Sequence, residues 1–388
     1  MKEVYYAKQQ TNKCEAKAPQ ASESTQANSS RAKQNTIKQG YIMSNFLKDM
    51  VKTTGNEFAS IVEDGIDGGD VTGFVDTGVY ALNALLSGSL YGGMPANKIM
   101  ALAGESATGK TFFALSIVKT FLEANPDGVC MYFDSEAAVT SDMFRTRNID
   151  TRRVAVIGVA TVEEFRNQAV KVVDNYLKMP AGERKPMIMI LDSLGMLSSS
   201  KEMNDTAEGK DTRDMTRAQV TKATFRVLTL KLGKAGIPLI MTNHTYETMS
   251  MFPQKVMGGG TGLRYAASTV LFLSKRKEKI DNEVVGNVIH CKLDKGRFTK
   301  ENMMVDVLLR YDTGLNKYYG LLPIAEKHGI FKKVSTRYEM PDGSKAFEKN
   351  INENPEKYYT DDVMRQLEDA VAKEFKYGNE VSNDEQQS

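Results

Sequence analysis

The sequence lacks tryptophan and holds only three cysteines and three histidines among its 388 residues. Three widely separated cysteines are too few for a disulfide framework, and these cysteines and histidines do not show the spacing of a zinc site. No apolar run approaches the roughly 18 residues that span a bilayer, and the amino terminus lacks the apolar stretch of a secretory signal. These absences predict a cytoplasmic protein without a membrane partner.

An excess of charge of one sign is also missing, because 51 basic and 49 acidic residues leave a net charge of +2 at pH 7. Nucleic-acid-binding proteins usually show a basic excess or a basic stripe, so the sum alone does not predict one. Residues 1–42 are polar, mildly basic and almost without aliphatic side chains, which predicts disorder. Met43, where an amphipathic pattern begins, is an alternative start of the working protein.

The middle of the chain alternates between apolar runs and helical patterns. Predicted strands lie at 99–104, 129–134, 154–157, 187–192, 238–243 and 270–273, and predicted helices lie near 110–124, 161–178 and 213–235. Strands separated by helices indicate βαβ units and a mostly parallel sheet with helices on both faces. Closely spaced strands at 287–292 and 303–310 predict antiparallel additions at one edge. The predicted fold class is therefore α/β, with a core at 76–325.

Two smaller regions flank this core. Residues 43–75 are predicted to form a helical segment for oligomerisation, and residues 326–388 a small carboxy-terminal region. Residues 351–388 carry many more acids than bases, which predicts an acidic tail with a helix at 360–376.

The strongest motif, GESATGKT at 104–111, lies between a predicted strand and a predicted helix. It matches G-x-x-x-x-G-K-[ST], whose backbone amides surround phosphate oxygens, whose lysine reaches the terminal phosphates and whose hydroxyl binds Mg²⁺. The predicted nucleotide-binding residues are Gly104, Glu105, Ser106, Ala107, Thr108, Gly109, Lys110 and Thr111. The alternative is a glycine-rich turn without a ligand.

Two carboxylates follow neighbouring predicted strands. Asp192 ends the run at 187–192 and is predicted to hold Mg²⁺ together with Thr111. Glu136 follows the run at 129–134 and is predicted to activate the attacking water. Both acids could instead simply cap strands in solvent.

Six sequence blocks follow one another between residues 76 and 268. They are DTG at 76–78, YGGMPANKIMALAGESATGKT at 91–111, YFDSE at 132–136, ILDS at 190–193, LIMTNH at 239–244 and MGGGTGLRYAAS at 257–268. With these blocks in this order, the chain over residues 70–325 resembles the RecA family of DNA strand-exchange ATPases, and it is most similar to the UvsX-type recombinases of T-even-like bacteriophages.

The resemblance implies a DNA-dependent ATPase that converts ATP to ADP and phosphate with Mg²⁺. It also implies a helical filament on single-stranded DNA that pairs with homologous double-stranded DNA and exchanges strands. Lys110 and Glu136 would be catalytic. His244 lies where bacterial members have a glutamine that senses the γ-phosphate, and histidine can change charge near neutral pH.

The resemblance also implies two DNA-binding loops, at 199–216 and 245–263, both expected to be flexible. The predicted contacts are Arg213, Arg217, Lys222, Arg226, Met249, Met251, Phe252, Gly258, Gly259 and Gly260. The basic residues would neutralise phosphates, the apolar ones would wedge between bases, and the glycine amides would approach the backbone closely. The alternatives are a solvated helix face and a mobile lid.

Filament assembly would place ATP between subunits. Lys295, Arg297 and Lys300 are predicted to reach the neighbour's ATP. The alternative is that they lie at an exposed strand edge, where their charges discourage aggregation. Residues 45–62 are predicted to dock on the adjacent subunit or on their own domain. The acidic tail would restrain DNA access or simply aid solubility. A single-strand-binding protein and a loading mediator are expected partners.

Three other functions share features with this prediction. A non-hydrolysing recombination mediator would keep the fold but lack the Glu136 chemistry. A hexameric helicase would be expected to have an amino-terminal helical domain, and residues 1–70 are too short and polar for one. A small-molecule kinase would need an acceptor pocket with a lid, which the sequence does not indicate.

Overall fold

The computed structural model describes residues 45–66, 68–210, 216–247, 255–258, 262–280 and 282–378. The chain divides into one unit ending at Ile66 and a second unit that begins at residue 67. In the first unit, helix α1 spans residues 45–53 and a short 3-10 helix spans Val62–Asp64. Apolar side chains of α1, such as Phe46 and Met50, are exposed. Docking of this segment on a neighbouring subunit stays a prediction.

The second unit contains fifteen strands and eleven helices among the described residues. The strands are β1 Phe74–Val75, β2 Met94–Pro95, β3 Ile99–Gly104, β4 Val129–Asp134, β5 Val154–Gly158, β6 Met187–Asp192, β7 Leu239–Glu247, β8 Lys255–Met257, β9 Thr269–Ile280, β10 Glu283–Gly296, β11 Met304–Arg310, β12 Gly314–Leu315, β13 Lys332–Val334, β14 Arg337–Glu339 and β15 Lys345–Phe347. The helices are α2 Tyr80–Ser87, α3 Lys110–Ala124, α4 Ser141–Arg145, α5 Val162–Lys178, α6 Ser200–Ala207, α7 Thr216–Ala235, α8 Gly262–Ala266, α9 Leu321–Lys327, α10 Glu348–Glu353, α11 Pro355–Tyr358 and α12 Asp361–Phe375. No helix in these described ranges is long and apolar enough to cross a membrane.

Most strands join one large sheet in the order β12-β11-β10-β9-β3-β7-β6-β4-β5. The six strands from β9 to β5 are parallel, and β10, β11 and β12 add antiparallel at one edge. Strand β8 pairs antiparallel with the end of β7. The predicted mostly parallel sheet with antiparallel strands at one edge is confirmed.

The central strands are apolar throughout because both faces of the sheet are covered by helices. Alternate residues of β3 enter the two cores. Met100 and Leu102 lie in the core formed with α2, α3 and α12. Ile99, Ala101 and Ala103 lie in the core formed with α5 and α7. Period-2 alternation in a doubly buried strand therefore produces a continuous apolar run.

The strand register brings the ends of several strands to one edge. Gly104, the last residue of β3, pairs with His244 of β7 on one side and with Leu273 of β9 on the other. Asp134 of β4 pairs with Asp192 of β6. Because carboxyl ends of parallel strands meet at one edge, polar residues distant in sequence come together there.

Residues 199–216 were predicted to form a flexible loop. The structure differs from this prediction in the part of the range that it describes. Residues 200–207 form helix α6, and residues 211–215 lie outside the described residues. The helix begins with a capping box in which the Glu202 amide donates to the Ser199 hydroxyl over 3.0 Å and the Ser199 amide donates to the Glu202 carboxylate over 3.3 Å. The S-x-x-E pattern that encodes this start was present in the sequence.

The carboxy-terminal region packs on the same core as the sheet. Strands β13, β14 and β15 form a separate three-stranded antiparallel sheet. Leu367 and Phe375 of α12 are buried in the cluster that also holds Leu82 and Leu85 of α2. The predicted helix at 360–376 thus matches α12, and residues 379–388 of the predicted acidic tail lie outside the described residues.

An ion-paired carboxylate joins the end of α12 to α9. Glu374 is only 10% exposed; its Oε1 lies 2.5 Å from Lys327 Nζ and its Oε2 lies 2.7 Å from His328 Nε2. Burial alone would raise the pKa of Glu374, but the hydrogen bonds from Lys327 and His328 outweigh it and hold the pKa below its ordinary value. A lowered folded-state pKa stabilises the protein above the ordinary value and loses this contribution as the pH falls through the folded value.

We therefore expect Glu374→Gln to lower the free energy of unfolding at pH 7 by about 1 to 2 kcal/mol. The difference from wild type should shrink as the pH falls below the ordinary pKa of a glutamate, because the contribution of the ionised Glu374 is then progressively lost. Urea unfolding of wild type and variant at pH 7 and at an acidic pH measures the difference in the free energy of unfolding under both conditions. Glu353→Gln, in the exposed pair with Lys349, is the control and should change stability by less than about 0.5 kcal/mol. A difference for Glu374→Gln that grows on acidification would contradict this interpretation.

Candidate nucleotide-binding and catalytic site

The predicted phosphate-binding loop connects β3 to α3. Gly109 precedes the first residue of α3 with φ = 89°, a left-handed conformation that favours glycine. At Gly104, an added Cβ would lie 2.8 Å from the Leu273 carbonyl oxygen and 2.7 Å from Thr108 Oγ1. The loop therefore needs glycine at both motif positions for two different reasons. A loop of this type at the start of a helix presents backbone amides to phosphate.

Lys110 is held at the mouth of this loop. Its side chain is only 7% exposed, and its Nζ donates to the carbonyl oxygens of Gly104 at 3.0 Å and Glu105 at 2.8 Å. Burial lowers the pKa of Lys110, while the charges of Asp192 and Glu136 act in the opposite direction. The adjoining cleft has a volume of about 400 Å³, and its lining includes Lys110, Thr111, Glu136, Asp192 and His244.

Asp192 forms the centre of a hydroxyl network. Its Oδ2 accepts hydrogen bonds from Thr111 Oγ1 and Tyr132 OH, both at 2.7 Å, and its Oδ1 accepts one from the Thr242 hydroxyl. The carboxylate is 8% exposed and belongs to the last residue of β6. The peptide bond between Asp192 and Ser193 is cis.

This donor set fits Mg²⁺. The Thr111 hydroxyl and the Asp192 carboxylate are hard oxygen ligands, which Mg²⁺ prefers. Within the described part of the chain, no group of three or more His, Cys, Asp or Glu side chains could hold a metal by itself. A Mg²⁺ ion at Thr111 and Asp192 would therefore complete its shell with water and phosphate oxygens, as Mg²⁺ commonly does.

Glu136 contacts side chains from two other strand ends. Its Oε1 accepts a 2.7 Å hydrogen bond from Ser193 Oγ and lies 3.3 Å from His244 Nε2. Asp134 fixes the turn that carries Glu136, because its carboxylate accepts the Glu136 amide at 2.9 Å. Burial would raise the pKa of Glu136, but hydrogen bonds from Ser193 and His244 and the charge of Lys110 outweigh it and lower the pKa. Glu136 is thus held as a carboxylate, the form that accepts a proton.

Several residues at this site were missed by the sequence analysis. They are Tyr132, Ser193 and Thr242, which bind the two carboxylates, and Lys255 and Lys275, which bind the loop. Thr242 was detectable as a polar residue inside an apolar strand, and Ser193 follows Asp192 directly. No local pattern marked the two lysines, because their contacts depend on strand register.

The predicted DNA contacts that the structure describes differ in their availability. Lys222 and Arg226 are exposed on α7. Arg217 instead donates to the backbone carbonyls of Leu194 at 3.2 Å and Gly195 at 2.7 Å. The amide of Gly258, which was predicted to approach the DNA backbone, donates to the His244 carbonyl at 3.0 Å. Arg213, Met249, Met251, Phe252, Gly259 and Gly260 lie outside the described residues.

The residues predicted to act on a neighbour's ATP lie apart from this chain's own loop. Lys295 pairs with Val270, which lies beside Ala101 in β3. It is therefore displaced from Gly104 toward the amino-terminal ends of the parallel strands. Its Nζ donates to the carbonyls of Arg264 at 2.8 Å, Tyr265 at 3.3 Å and Ala267 at 2.8 Å. Lys300 Nζ donates to the carbonyls of Lys373 at 3.3 Å and Glu374 at 2.9 Å. Arg297 directly follows the end of β10. Their action across an interface stays a prediction.

A phosphate-binding loop, a magnesium-type carboxylate and a second carboxylate at the ends of parallel strands define a P-loop nucleoside triphosphatase. The chain belongs to the RecA family, since the model of the RecA N-terminal domain matches residues 42–316. The resemblance seen in the sequence motifs is thereby confirmed.

Two of three similar proteins are named for repair, and one of these two is also named for recombination. The chain is 36% identical over 259 residues to the recombination and repair protein of Enterobacteria phage T4, a match that covers 67% of this chain and 65% of that protein. It is 26% identical over 318 residues to Protein RecA of Deinococcus radiodurans, covering 79% and 81%. It is 23% identical over 306 residues to the mitochondrial DNA repair protein recA homolog 3 of Arabidopsis thaliana, covering 76% and 67%.

Proposed function

We propose that this protein is an ATP-dependent DNA recombinase. It assembles as a filament on single-stranded DNA, pairs it with homologous double-stranded DNA and exchanges strands in recombination, repair and recombination-dependent replication. The observation that carries the proposal is the path of β7. This strand brings Thr242 to Asp192 and His244 to Glu136, and its last residues pair with β8 in a hairpin whose paired residues belong to the predicted second DNA loop.

The residues of the site have distinct roles in this proposal. The loop amides and Lys110 bind the triphosphate of ATP, and Thr111 and Asp192 hold Mg²⁺, which neutralises charge on the phosphate oxygens when bound. Glu136 orients the attacking water and accepts its proton. His244 links Glu136 to β7, so that a change in the β7–β8 hairpin on DNA binding alters the contact at Glu136.

Two sets of residues would carry assembly. The exposed apolar side chains of α1 dock on the next subunit, and Lys295 and Arg297 approach that subunit's ATP. A head-to-tail contact of this kind extends into a filament rather than closing. A single-strand-binding protein and a loading mediator would serve as partners in the cytoplasm of the host cell, if the chain is a phage protein.

The rival functions are less well supported. A non-hydrolysing mediator has no use for Glu136 held as a carboxylate beside Lys110 and the Asp192 network. A hexameric helicase motor or a small-molecule kinase leaves the connection of His244 to the β7–β8 hairpin without a role.

ATP turnover by the purified protein, with and without single-stranded DNA, tests the proposal. We expect DNA to stimulate turnover and Lys110→Ala to abolish it, because Lys110 is the buried cation of the phosphate loop. Lys119→Ala, at a partly exposed position of the same helix, is the matched control and should retain turnover. Turnover indifferent to DNA would exclude a recombinase, and DNA binding without turnover would favour the mediator.

A further inference from the structure

Strand β9 extends past the phosphate-binding loop. β3 ends at Gly104, which pairs with Leu273, whereas β9 continues to Ile280 against β10. Side chains two residues apart share a face of a strand, so Lys275 lies on the same face as Leu273, about 7 Å farther along. Leu273 packs in the core that contains α3, the helix that follows the loop. Lys275 is therefore the first side chain of β9 to emerge beside the loop on the side of the nucleotide cleft.

The Lys275 ammonium contacts the loop itself. Its Nζ donates to the carbonyl oxygen of Ala107 at 2.7 Å, and its side chain lines the same cleft as Lys110 and Asp192. Strand β7 borders β3 on the other side and presents His244 to this cleft. The loop thus has the predicted phosphate-sensing side chain on one flank and a lysine on the other.

The charges around the cleft leave Lys275 available for an anion. The other lysine on the loop, Lys255, is paired with the Glu105 carboxylate at 2.7 Å. Among the described residues, no carboxylate lies within ion-pair distance of Lys275. Lys110 and Lys275 both line this cleft. Two ammonium groups that face one cleft favour the binding of a polyanion between them.

We propose that Lys275 is a nucleotide-contacting residue that binds the terminal phosphate of the triphosphate from the side opposite His244. This inference rests on the proposed nucleotide-binding function and adds a contact from the same chain to it. Because the ammonium is a flexible point charge, it can leave the Ala107 carbonyl for a phosphate oxygen without movement of β9. Lys275 would then help the site to distinguish a triphosphate from a diphosphate.

Equilibrium binding of fluorescent ADP and of a non-hydrolysable fluorescent ATP analogue tests this proposal, with the full chain, Mg²⁺ and no DNA. We expect Lys275→Met to weaken the ATP analogue about tenfold and ADP by less than about threefold, as loss of one charged hydrogen bond predicts. Lys275→Arg keeps the charge and should remain close to wild type. Lys279→Met is the matched control, because it lies on the same face of β9 but farther from the loop.

Two results would overturn the proposal while leaving the wider function intact. Equal weakening of ADP and the ATP analogue would mean that Lys275 only braces the loop through Ala107. Unchanged binding of both nucleotides would exclude a contact. Failure of the wild-type chain to bind either nucleotide would instead contradict the proposed function itself.

Discussion

Replacing Glu136 with glutamine should lower ATP turnover by about 10² to 10⁴-fold, the usual contribution of a positioned general base. Glutamine keeps the size of the side chain and an oxygen that accepts from Ser193 Oγ, so the strand ends should stay in place. It removes the negative charge and the ability to take a proton. The variant should therefore still bind ATP and, with ATP present, single-stranded DNA.

Steady-state phosphate release and fluorescence anisotropy of labelled DNA measure these two properties separately. Glu183→Gln, in a short surface 3-10 helix, is the control and should match wild type. Ser193→Ala provides a graded test, because it removes a hydrogen bond that lowers the pKa of Glu136. Its turnover should therefore fall off at a higher pH than that of wild type on the acidic side. Turnover of Glu136→Gln within a fewfold of wild type would show that another group is the base.

Asp192→Ala should abolish turnover and also destabilise the fold by about 3 kcal/mol. The buried carboxylate accepts hydroxyl donors from Thr111, Tyr132 and Thr242, and its removal leaves these donors without their acceptor. It also removes a negative charge that opposes the desolvation of Lys110. The loss of the magnesium-type ligand accounts for the loss of turnover, and the orphaned groups account for the loss of stability.

Urea unfolding together with turnover measures both parts of this expectation. Tyr132→Phe separates them, because it removes only one donor to Asp192 and should cost about 1 kcal/mol while much of the turnover remains. Added Mg²⁺ and ATP should stabilise wild type and Tyr132→Phe against urea but not Asp192→Ala, since only a state that binds ligand is stabilised. Full stability of Asp192→Ala would show that the network contributes little to the fold.

Much of the fold was predictable from local pattern. Parallel strands covered on both faces read as short apolar runs, and the runs at 99–104, 129–134 and 187–192 match β3, β4 and β6. The loop motif needs only consecutive residues, because one turn of backbone forms the phosphate cradle. Asp192 and Glu136 were identifiable as acids at the end of such a run and two residues beyond one.

Other features could not be predicted from local sequence patterns, because they depend on strand register and on which hydrogen-bond acceptors lie nearby after folding. Arg217 was predicted to meet DNA but donates to the carbonyls of Leu194 and Gly195. The amide of Gly258 was predicted to approach the DNA backbone, and it donates to the His244 carbonyl. A sequence shows which groups are able to donate, but not which acceptor lies closest after folding.

The sequence by itself determined the α/β class, the phosphate-binding loop, the two acids and membership of the RecA family, because each is encoded in short contiguous segments. Only the tertiary structure decided that Glu136, Ser193 and His244 meet, since they follow or belong to three different strands. It also decided that Lys275 lies beside the loop, because β9 continues beyond the last residue of β3. The physical reason is that parallel pairing fixes which strand ends are neighbours, and that pairing is a property of the assembled sheet rather than of any one segment.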